Sequence, residues 1–193
     1  QMCIRDSPYT VSNYLADDIS TGSISTDHPE FEKAEKEVEN RLDFFINNNG
    51  TKSVDHFHKR LGKIMWEQCG MVRNKEGLEG AIRDINSIRD EFWKEVNVPG
   101  TKNGLNQELE KAGRVADFIE LGALMCYDAL SREESCGGHF REEFQTREGE
   151  AVRNDEDYSF VSAWEYKGEK DVPELHKEDL NYENIELKQR SYK

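Results

Sequence analysis

Apolar residues recur every three or four positions from about residue 27 to residue 131, the spacing that places them on one face of a helix. Start signals (Asp27, Ser53) and stop signals (Gly50, Gly70, Pro99) divide this stretch into helices. The predicted helices cover, in chain order, residues 27–47, 53–69, 74–96 and 105–130. Their inward faces are predicted to carry Phe31, Ala34, Val38, Leu42 and Phe45; Val54, Phe57, Leu61, Ile64 and Met65; Leu78, Ile82, Ile85, Ile88, Phe92 and Val96; and Leu105, Leu109, Ala112, Ala116, Ile119, Ala123, Cys126 and Leu130.

Four helices joined by short connections predict an antiparallel helical bundle over residues 27–131. The fourth helix has a second apolar face, formed by Phe118, Leu121 and Met125. A helix that is apolar on two faces is typical of the centre of a bundle, so we expect this helix to be the central one. The fold class is therefore mostly α.

The pattern changes after residue 131. Residues 160–167 and 185–189 have strand-like character, and glycines punctuate the sequence between them. We interpret residues 132–193 as a small, loop-rich α/β tail with short strands. Its apolar content is too low for it to fold unaided.

The start of the chain has a different character. Residues 1–7 do not match the register of the helical pattern after them, and we expect them to be a non-native leader. Val11, Leu15 and Ile19 repeat at helical spacing, which predicts a helix over residues 9–19 that begins before the chain does. Residues 8–26 are thus expected to be the last helix of a missing domain and a linker.

Charge narrows the classes of partner. The chain has 26 Lys and Arg against 40 Asp and Glu, a formal net charge of −14, which excludes a phosphate-tracking surface for nucleic acid. No apolar stretch approaches the roughly 20 residues that span a bilayer, so the polypeptide is expected to be soluble. The four cysteines, Cys3, Cys69, Cys126 and Cys136, show no disulfide framework spacing and favour a reducing compartment.

Candidate chemistry is concentrated between residues 132 and 141. Cys136 and His139 have the C-x-x-H spacing of half a metal site, but no second pair with comparable spacing exists and a structural zinc needs four ligands. A Cys–His nucleophile is disfavoured by Glu133 and Glu134, which would raise the thiol pKa. His56 and His58 point to different faces of one helix. From the residues alone we expect no catalytic, cofactor-binding or metal site, and a turn fixed by ion pairs.

Residues 129–144, which we call the signature segment, resemble a known pattern. They are similar to the A-L-x-R-x-E-S-R-G-A-H-x-R-x-D-F sequence in the C-terminal domain of succinate dehydrogenase, fumarate reductase and L-aspartate oxidase flavoproteins. Residues 61–73 (LGKIMWEQCGMVR) and the closing R-S-Y-K also resemble this family. Cys136, Gly138 and Glu143 depart from it. The matching positions are Ala129, Leu130, Arg132, Glu134, Ser135, Gly137, His139, Arg141 and Phe144.

The resemblance implies a parent protein in which FAD passes a hydride between flavin N5 and a C4 dicarboxylate. It implies three partners: the missing FAD-binding domain, an iron–sulfur subunit and, indirectly, a membrane quinone-reactive subunit. The complex would be peripheral, on the cytoplasmic side of the inner membrane. The fragment itself is expected to hold no FAD and to provide support and docking. Its structural and interdomain residues would be Arg132, Glu134, Ser135, Gly137, His139 and Arg141.

Within that family the sequence is most similar to the fumarate reductase/succinate dehydrogenase branch of Bacteroidetes-like bacteria. Two alternatives remain open from the sequence: an L-aspartate oxidase C-terminal domain and a free-standing acidic helical interaction module.

Overall fold

The computed structural model describes residues 11–12, 25–168, 171–186 and 188. The chain divides into two compact units, residues 1–42 and residues 43–193. The proposed leader lies outside the described residues. Of the predicted helix over residues 9–19 only Val11 and Ser12 are described, and both are helical.

The first helix, α1 (Pro29–Asn47), crosses the boundary between the units. In the first unit none of its residues is buried, and Phe31 and Val38 are 51% and 59% exposed. The predicted inward face of this part is therefore wrong. In the second unit, Phe45 is buried and stacks on Trp93 with ring centroids 5.6 Å apart. Within the second unit this helix contributes to the core through its last turn, and three further helices form most of that core.

These three helices are α2 (Val54–Gln68), α3 (Lys75–Glu95) and α4 (Gln107–Ser131), and each packs on the other two. Each begins at a side-chain cap. Ser53, Asn74 and Asn106 accept hydrogen bonds from the backbone N–H groups of His56, Gly77 and Leu109. Such caps satisfy N–H groups that a helix leaves unpaired. The starts of the predicted helices are thus fixed by local hydrogen bonds.

The core lies along the α3–α4 contact, where Ile85, Phe92, Ala112 and Ile119 are at most 1% exposed. Helices α2 and α4 approach closely at Gly122, where an added Cβ would lie 3.2 Å from the sulfur of Met65. Burying each large apolar side chain contributes about 1.5–3 kcal/mol. The predicted core of these helices is largely confirmed. Leu105 is the exception, because it precedes α4 and is 95% exposed.

Two pairs of two-residue parallel strands tie the loops together. Strand β1 (Lys52–Ser53) pairs with β3 (Val96–Asn97), and β2 (Val72–Arg73) pairs with β4 (Phe140–Arg141). The second pair joins the α2–α3 connection to the signature segment. Strands this short have no hydrophobic period, so the sequence pattern does not predict them.

A hairpin follows the short helix α5 (Asp155–Tyr158). Strand β5 (Phe160–Glu165) pairs antiparallel with β6 (Glu174–Asp179), in register from Phe160 opposite Asp179 to Glu165 opposite Glu174. The first strand agrees with the prediction over residues 160–167. Of the predicted strand over residues 185–189, the described residues 185, 186 and 188 are not in a strand, and Ile185 is 71% exposed.

The start of the predicted tail belongs to the packed unit. Glu134, Ser135 and Arg141 are 2%, 0% and 2% exposed, as low as the core of the bundle. Packing therefore continues past residue 131, and the domain division at that residue stays a prediction. Among the described helices, none combines the length and the apolar character needed to cross a bilayer.

Candidate functional site at the signature segment

Arg141 lies against the C-terminal end of helix α4. Its Nη1 donates to the carbonyl oxygens of Ala129, Leu130 and Arg132 at 3.0, 3.3 and 3.5 Å, and its Nε donates to Glu143 at 3.0 Å. The last carbonyls of a helix lack partners and carry partial negative charge. A buried guanidinium at this position satisfies several of them at once. Arg141 therefore fixes where helix α4 ends and where strand β4 begins.

Ser135 closes the turn. Its Oγ accepts from Arg141 N at 2.8 Å and lies 3.1 Å from Arg141 O, to which its hydroxyl donates. Between these positions the backbones of Cys136 and His139 exchange two hydrogen bonds of 2.8 and 3.0 Å. Gly137 has φ +59°, the left-handed region that glycine adopts most readily. The predicted tight turn is confirmed, and its two ends are fixed by one buried hydroxyl.

Glu134 is the buried carboxylate of the segment. Its Oε1 accepts from Arg132 Nη1 at 2.8 Å and its Oε2 from Asn154 N at 2.8 Å. Arg132 also lies over the Phe160 ring, 5.3 Å from its centroid. The sequence leaves open whether Glu134 pairs with Arg132 or Arg141. It pairs with Arg132, and Arg141 pairs with Glu143.

Glu143, where the family pattern has Asp, bridges to the start of helix α3. It accepts from the backbone N–H of Lys75 and from Arg141. Burial alone would raise the pKa of Glu143, but these hydrogen bonds outweigh it and lower the pKa below the ordinary value. The longer side chain thus joins the signature segment to a second helix.

His139 occupies the centre of the segment. Its Nε2 lies 3.0 Å from the carbonyl oxygen of Arg132, and its Nδ1 lies 3.0 Å from Nη1 of Arg73. Arg73 in turn donates from Nε to the carbonyl of Gly70 at 2.8 Å. Burial is the main cause that lowers the pKa of His139, and the neighbouring guanidiniums add to it. Arg73 ends the stretch of residues 61–73 that resembles the family, but nothing in the sequence indicates its contact with His139.

Neither chemical alternative for Cys136 gains support. Both ring nitrogens of His139 are engaged with other groups, so they are not directed at the thiol. Within the described part of the chain, the one cluster of three metal-ligand side chains is Glu165, Glu174 and His176. It lies exposed on the hairpin, and Lys167 already bridges its two carboxylates at 2.8 Å each.

Substituting Cys136 with Ser is therefore expected to change the free energy of unfolding by less than about 0.5 kcal/mol, the range of an ordinary surface change. Ser135→Ala is the matched comparison. It removes a buried hydroxyl with two partners, which costs about 1–3 kcal/mol. Urea unfolding of both variants measures the difference. A loss in Cys136→Ser equal to that in Ser135→Ala would restore a role for the thiol.

Cys69 and Cys126 form a contact for which the sequence gives no signal, because 57 residues separate them. Both thiols are buried and share a hydrogen bond. That bond lowers the pKa of Cys69 to about 7, with help from Arg73, and raises the pKa of Cys126. The sequence predicts that each behaves as a small apolar residue. Burial agrees with that prediction, but the lowered pKa of Cys69 does not.

The second apolar face of helix α4 is open. Phe118, Leu121 and Met125 are 43%, 52% and 45% exposed, and Trp66 at the end of neighbouring helix α2 is 84% exposed. The second apolar face, from which the sequence predicted that α4 is the central helix, is therefore not part of the bundle core. One face builds the core, and the other presents a row of large apolar side chains at i, i+3 and i+7.

Comparisons of the sequence with known proteins identify the family of the chain. Residues 58–192 match the family described as fumarate reductase flavoprotein C-term. The chain is 27% identical, over 92% of its length, to the fumarate reductase flavoprotein subunit of Helicobacter pylori, covering 24% of that protein. It is 22% identical, over 84% of its length, to the succinate dehydrogenase flavoprotein subunit of Bacillus subtilis, covering 26% of it. The chain thus spans about a quarter of these relatives.

Solved structures share the fold. A quinol–fumarate reductase with menaquinol molecules superposes with a TM-score of 0.75 at 21% identity, over 94% of this chain and 30% of the other. Adenylylsulfate reductase of Archaeoglobus fulgidus superposes with a TM-score of 0.63 at 16% identity, over 92% of this chain and 28% of the other. The two named proteins act on different substrates, so the fold by itself does not select one.

Proposed function

The chain belongs to the family of fumarate reductase flavoprotein C-terminal domains, and from this premise we propose that its complete subunit interconverts fumarate and succinate with a bound FAD. In that subunit the domain described here supplies support and a docking surface. The relatives that cover most of the chain are named fumarate reductase and succinate dehydrogenase flavoprotein subunits, which supports this choice of substrate.

The described residues do not fit FAD themselves. A dinucleotide pyrophosphate binds where a glycine-rich loop leaves helix N–H groups open. Here the bundle helices begin at Ser53, Asn74 and Asn106, whose side-chain oxygens already accept from those N–H groups. We therefore place FAD binding and hydride transfer in a part of the subunit that this chain does not include, and derive no chemical step from the residues present.

The open face of helix α4 carries the docking proposal. Scattered exposed apolar residues are ordinary, but a contiguous row marks an interaction surface. Phe118, Leu121 and Met125 form such a row on the longest described helix, α4. We assign this surface to the FAD-binding domain of the same subunit. A domain of the same chain is always present to cover these side chains, whereas a separate subunit can dissociate and expose them to water.

Leu121→Asp in the complete subunit tests this assignment. Burying an unpaired carboxylate in an apolar interface is expected to weaken domain docking at least about tenfold and to lower the FAD content accordingly. The domain alone should keep its stability within about 1 kcal/mol, since Leu121 is half exposed before docking. The readouts are flavin absorbance per subunit and fumarate reduction.

Leu105→Asp is the matched control, because Leu105 is 95% exposed and precedes the helix. It should leave FAD content and activity unchanged. Equal FAD content in the two variants would remove the α4 face from the interface. Parallel assays with fumarate, L-aspartate and adenylylsulfate identify the substrate, and turnover with either of the last two in place of fumarate would refute the substrate proposal.

We further propose that the subunit assembles with an iron–sulfur subunit and, through it, with a membrane quinone-reactive subunit on the cytoplasmic side of the inner membrane. Support comes from the shared fold with a quinol–fumarate reductase. Co-purification of the complete subunit with a membrane fraction and with an iron–sulfur protein is the expected result. A complete subunit that purifies without an iron–sulfur protein and outside the membrane fraction would contradict this proposal.

A further inference from the structure

His139 joins three parts of the domain. Its ring contacts the backbone at the end of helix α4 through Arg132, and the α2–α3 connection through Arg73, while its own residue closes the Cys136–His139 turn. It lies next to strand β4, whose partner β2 contains Arg73. A change at this ring therefore acts on the contact between the α2–α3 connection and the signature segment.

The partners of the ring fix its protonation state. A guanidinium can only donate hydrogen bonds, so Nδ1 must accept from Arg73. A backbone carbonyl can only accept, so Nε2 must donate to Arg132 O. Both bonds exist together only in the neutral ring with its proton on Nε2. A second proton, on Nδ1, would face the Nη1 of Arg73 donor to donor across 3.0 Å.

We propose that His139 is a proton-operated latch that holds the α2–α3 connection on the signature segment when neutral and releases it when protonated. The released contact is the one between Arg73 and the ring, together with the adjacent β2–β4 pairing, in which Glu142 N donates to Arg73 O at 2.8 Å. This inference goes beyond the proposed function, because it concerns the domain itself and holds whatever reaction the complete subunit catalyses.

The charges around the ring oppose its protonation. Guanidiniums face it from three elements: Arg73 on β2, Arg132 after α4 and Arg141 on β4. The nearby carboxylates are engaged elsewhere, Glu134 and Glu143 with the arginines and Glu142 with Asn74. The remaining titratable neighbour, the Cys136 thiol, is joined to His139 through the backbone.

The direction of the pH effect follows from the lowered pKa of His139. The unfolded chain binds this proton near the ordinary histidine pKa of about 6.5, whereas the folded chain binds it only at lower pH. The contribution of the latch is therefore complete above about pH 6.5. It is lost as the pH falls from there toward the folded pKa.

Proton-coupled NMR of the ring nitrogens in the 193-residue chain tests the latch between pH 8 and pH 5. We expect His139 to show the neutral form with the proton on Nε2 and to titrate below the ordinary histidine pKa of about 6.5. As it titrates, hydrogen exchange at the Glu142 amide, corrected for intrinsic pH dependence, should accelerate by about tenfold, roughly the effect of losing one hydrogen bond. Titration of His139 at or above about pH 6.5, or unchanged Glu142 protection after titration, would overturn the proposal.

Two substitutions give an independent reading. His139→Gln keeps a side-chain donor and acceptor but cannot titrate. The acceleration of Glu142 amide exchange at low pH, which we call the acid step, should therefore disappear. His176→Gln, on the exposed hairpin, should leave that step in place. If His139→Gln fails to fold, Arg73→Gln replaces it: removal of that cation should raise the pH at which His139 titrates. An acid step that survives His139→Gln, or a titration unmoved in Arg73→Gln, would count against the latch.

Discussion

Replacing Arg141 with Ala lowers the free energy of unfolding of the domain by about 3–5 kcal/mol, the cost of removing one partner from a buried charged network. Arg141 is 2% exposed and donates to three carbonyls at the end of helix α4 as well as to Glu143. Without it these carbonyls lose their donor and a cavity opens under strand β4. Urea unfolding followed by tryptophan fluorescence at pH 7.5 measures the loss.

Arg114→Ala is the control for this substitution. Arg114 forms an exposed ion pair with Glu110 one turn away on the same helix, and such pairs contribute about 0.3–0.5 kcal/mol. Arg141→Lys should fall between the two, because an ammonium keeps the charge but cannot reach carbonyls and carboxylate together. Equal losses in Arg141→Ala and Arg114→Ala would show that the buried guanidinium does not hold the helix end.

Replacing Glu134 with Ala has the second largest expected effect, about 3 kcal/mol in the isolated domain. The substitution leaves Arg132 with no carboxylate at 2.8 Å and removes the acceptor of the half-buried N–H of Asn154. Because Arg132 and Asn154 flank the hairpin side of the signature segment, we also expect weaker assembly and lower FAD content in the complete subunit. The measurements are urea unfolding, flavin absorbance and fumarate reduction.

Glu133→Ala is the matched control. It removes the same charge from the neighbouring position, where the carboxylate is exposed, and so separates the effect of the buried site from that of the lost charge. It should change each of these quantities little. Two outcomes would refute the role of Glu134: equal effects of Glu133→Ala and Glu134→Ala, or full assembly in Glu134→Ala together with collapse in Cys136→Ser.

Local rules are sufficient to predict much of this fold. Helices α2, α3 and α4 follow the 3.6-residue hydrophobic period, and Ser53 caps its helix as a start signal should. The signature segment is recognisable from its residues, and the family match over residues 58–192 confirms the resemblance. Its role as an interdomain element stays a prediction, since its polar side chains are satisfied within this chain.

The features that sequence patterns miss depend on distant partners. Strand β6 contains Leu175 as its one apolar residue and is identified only by its pairing with β5. Phe31 and Val38 repeat at helical spacing, yet both are more than half exposed. An apolar pattern predicts a helix face but not which domain or subunit packs against that face. Arg141 resembles an exposed cation in the sequence, because charged residues are seldom buried without partners. Besides Glu143, its partners are three backbone carbonyls, which no sequence pattern displays.

The reading frame upstream of Pro8 in the source DNA decides whether this chain is the end of a flavoprotein subunit. We expect an open frame that continues without a stop codon into a FAD-binding domain, with a glycine-rich dinucleotide fingerprint between a predicted strand and helix. A stop codon in that frame, followed by a start codon that opens the chain near residue 8, would contradict this expectation. The domain would then be a free-standing helical module, and its open α4 face would need a different partner.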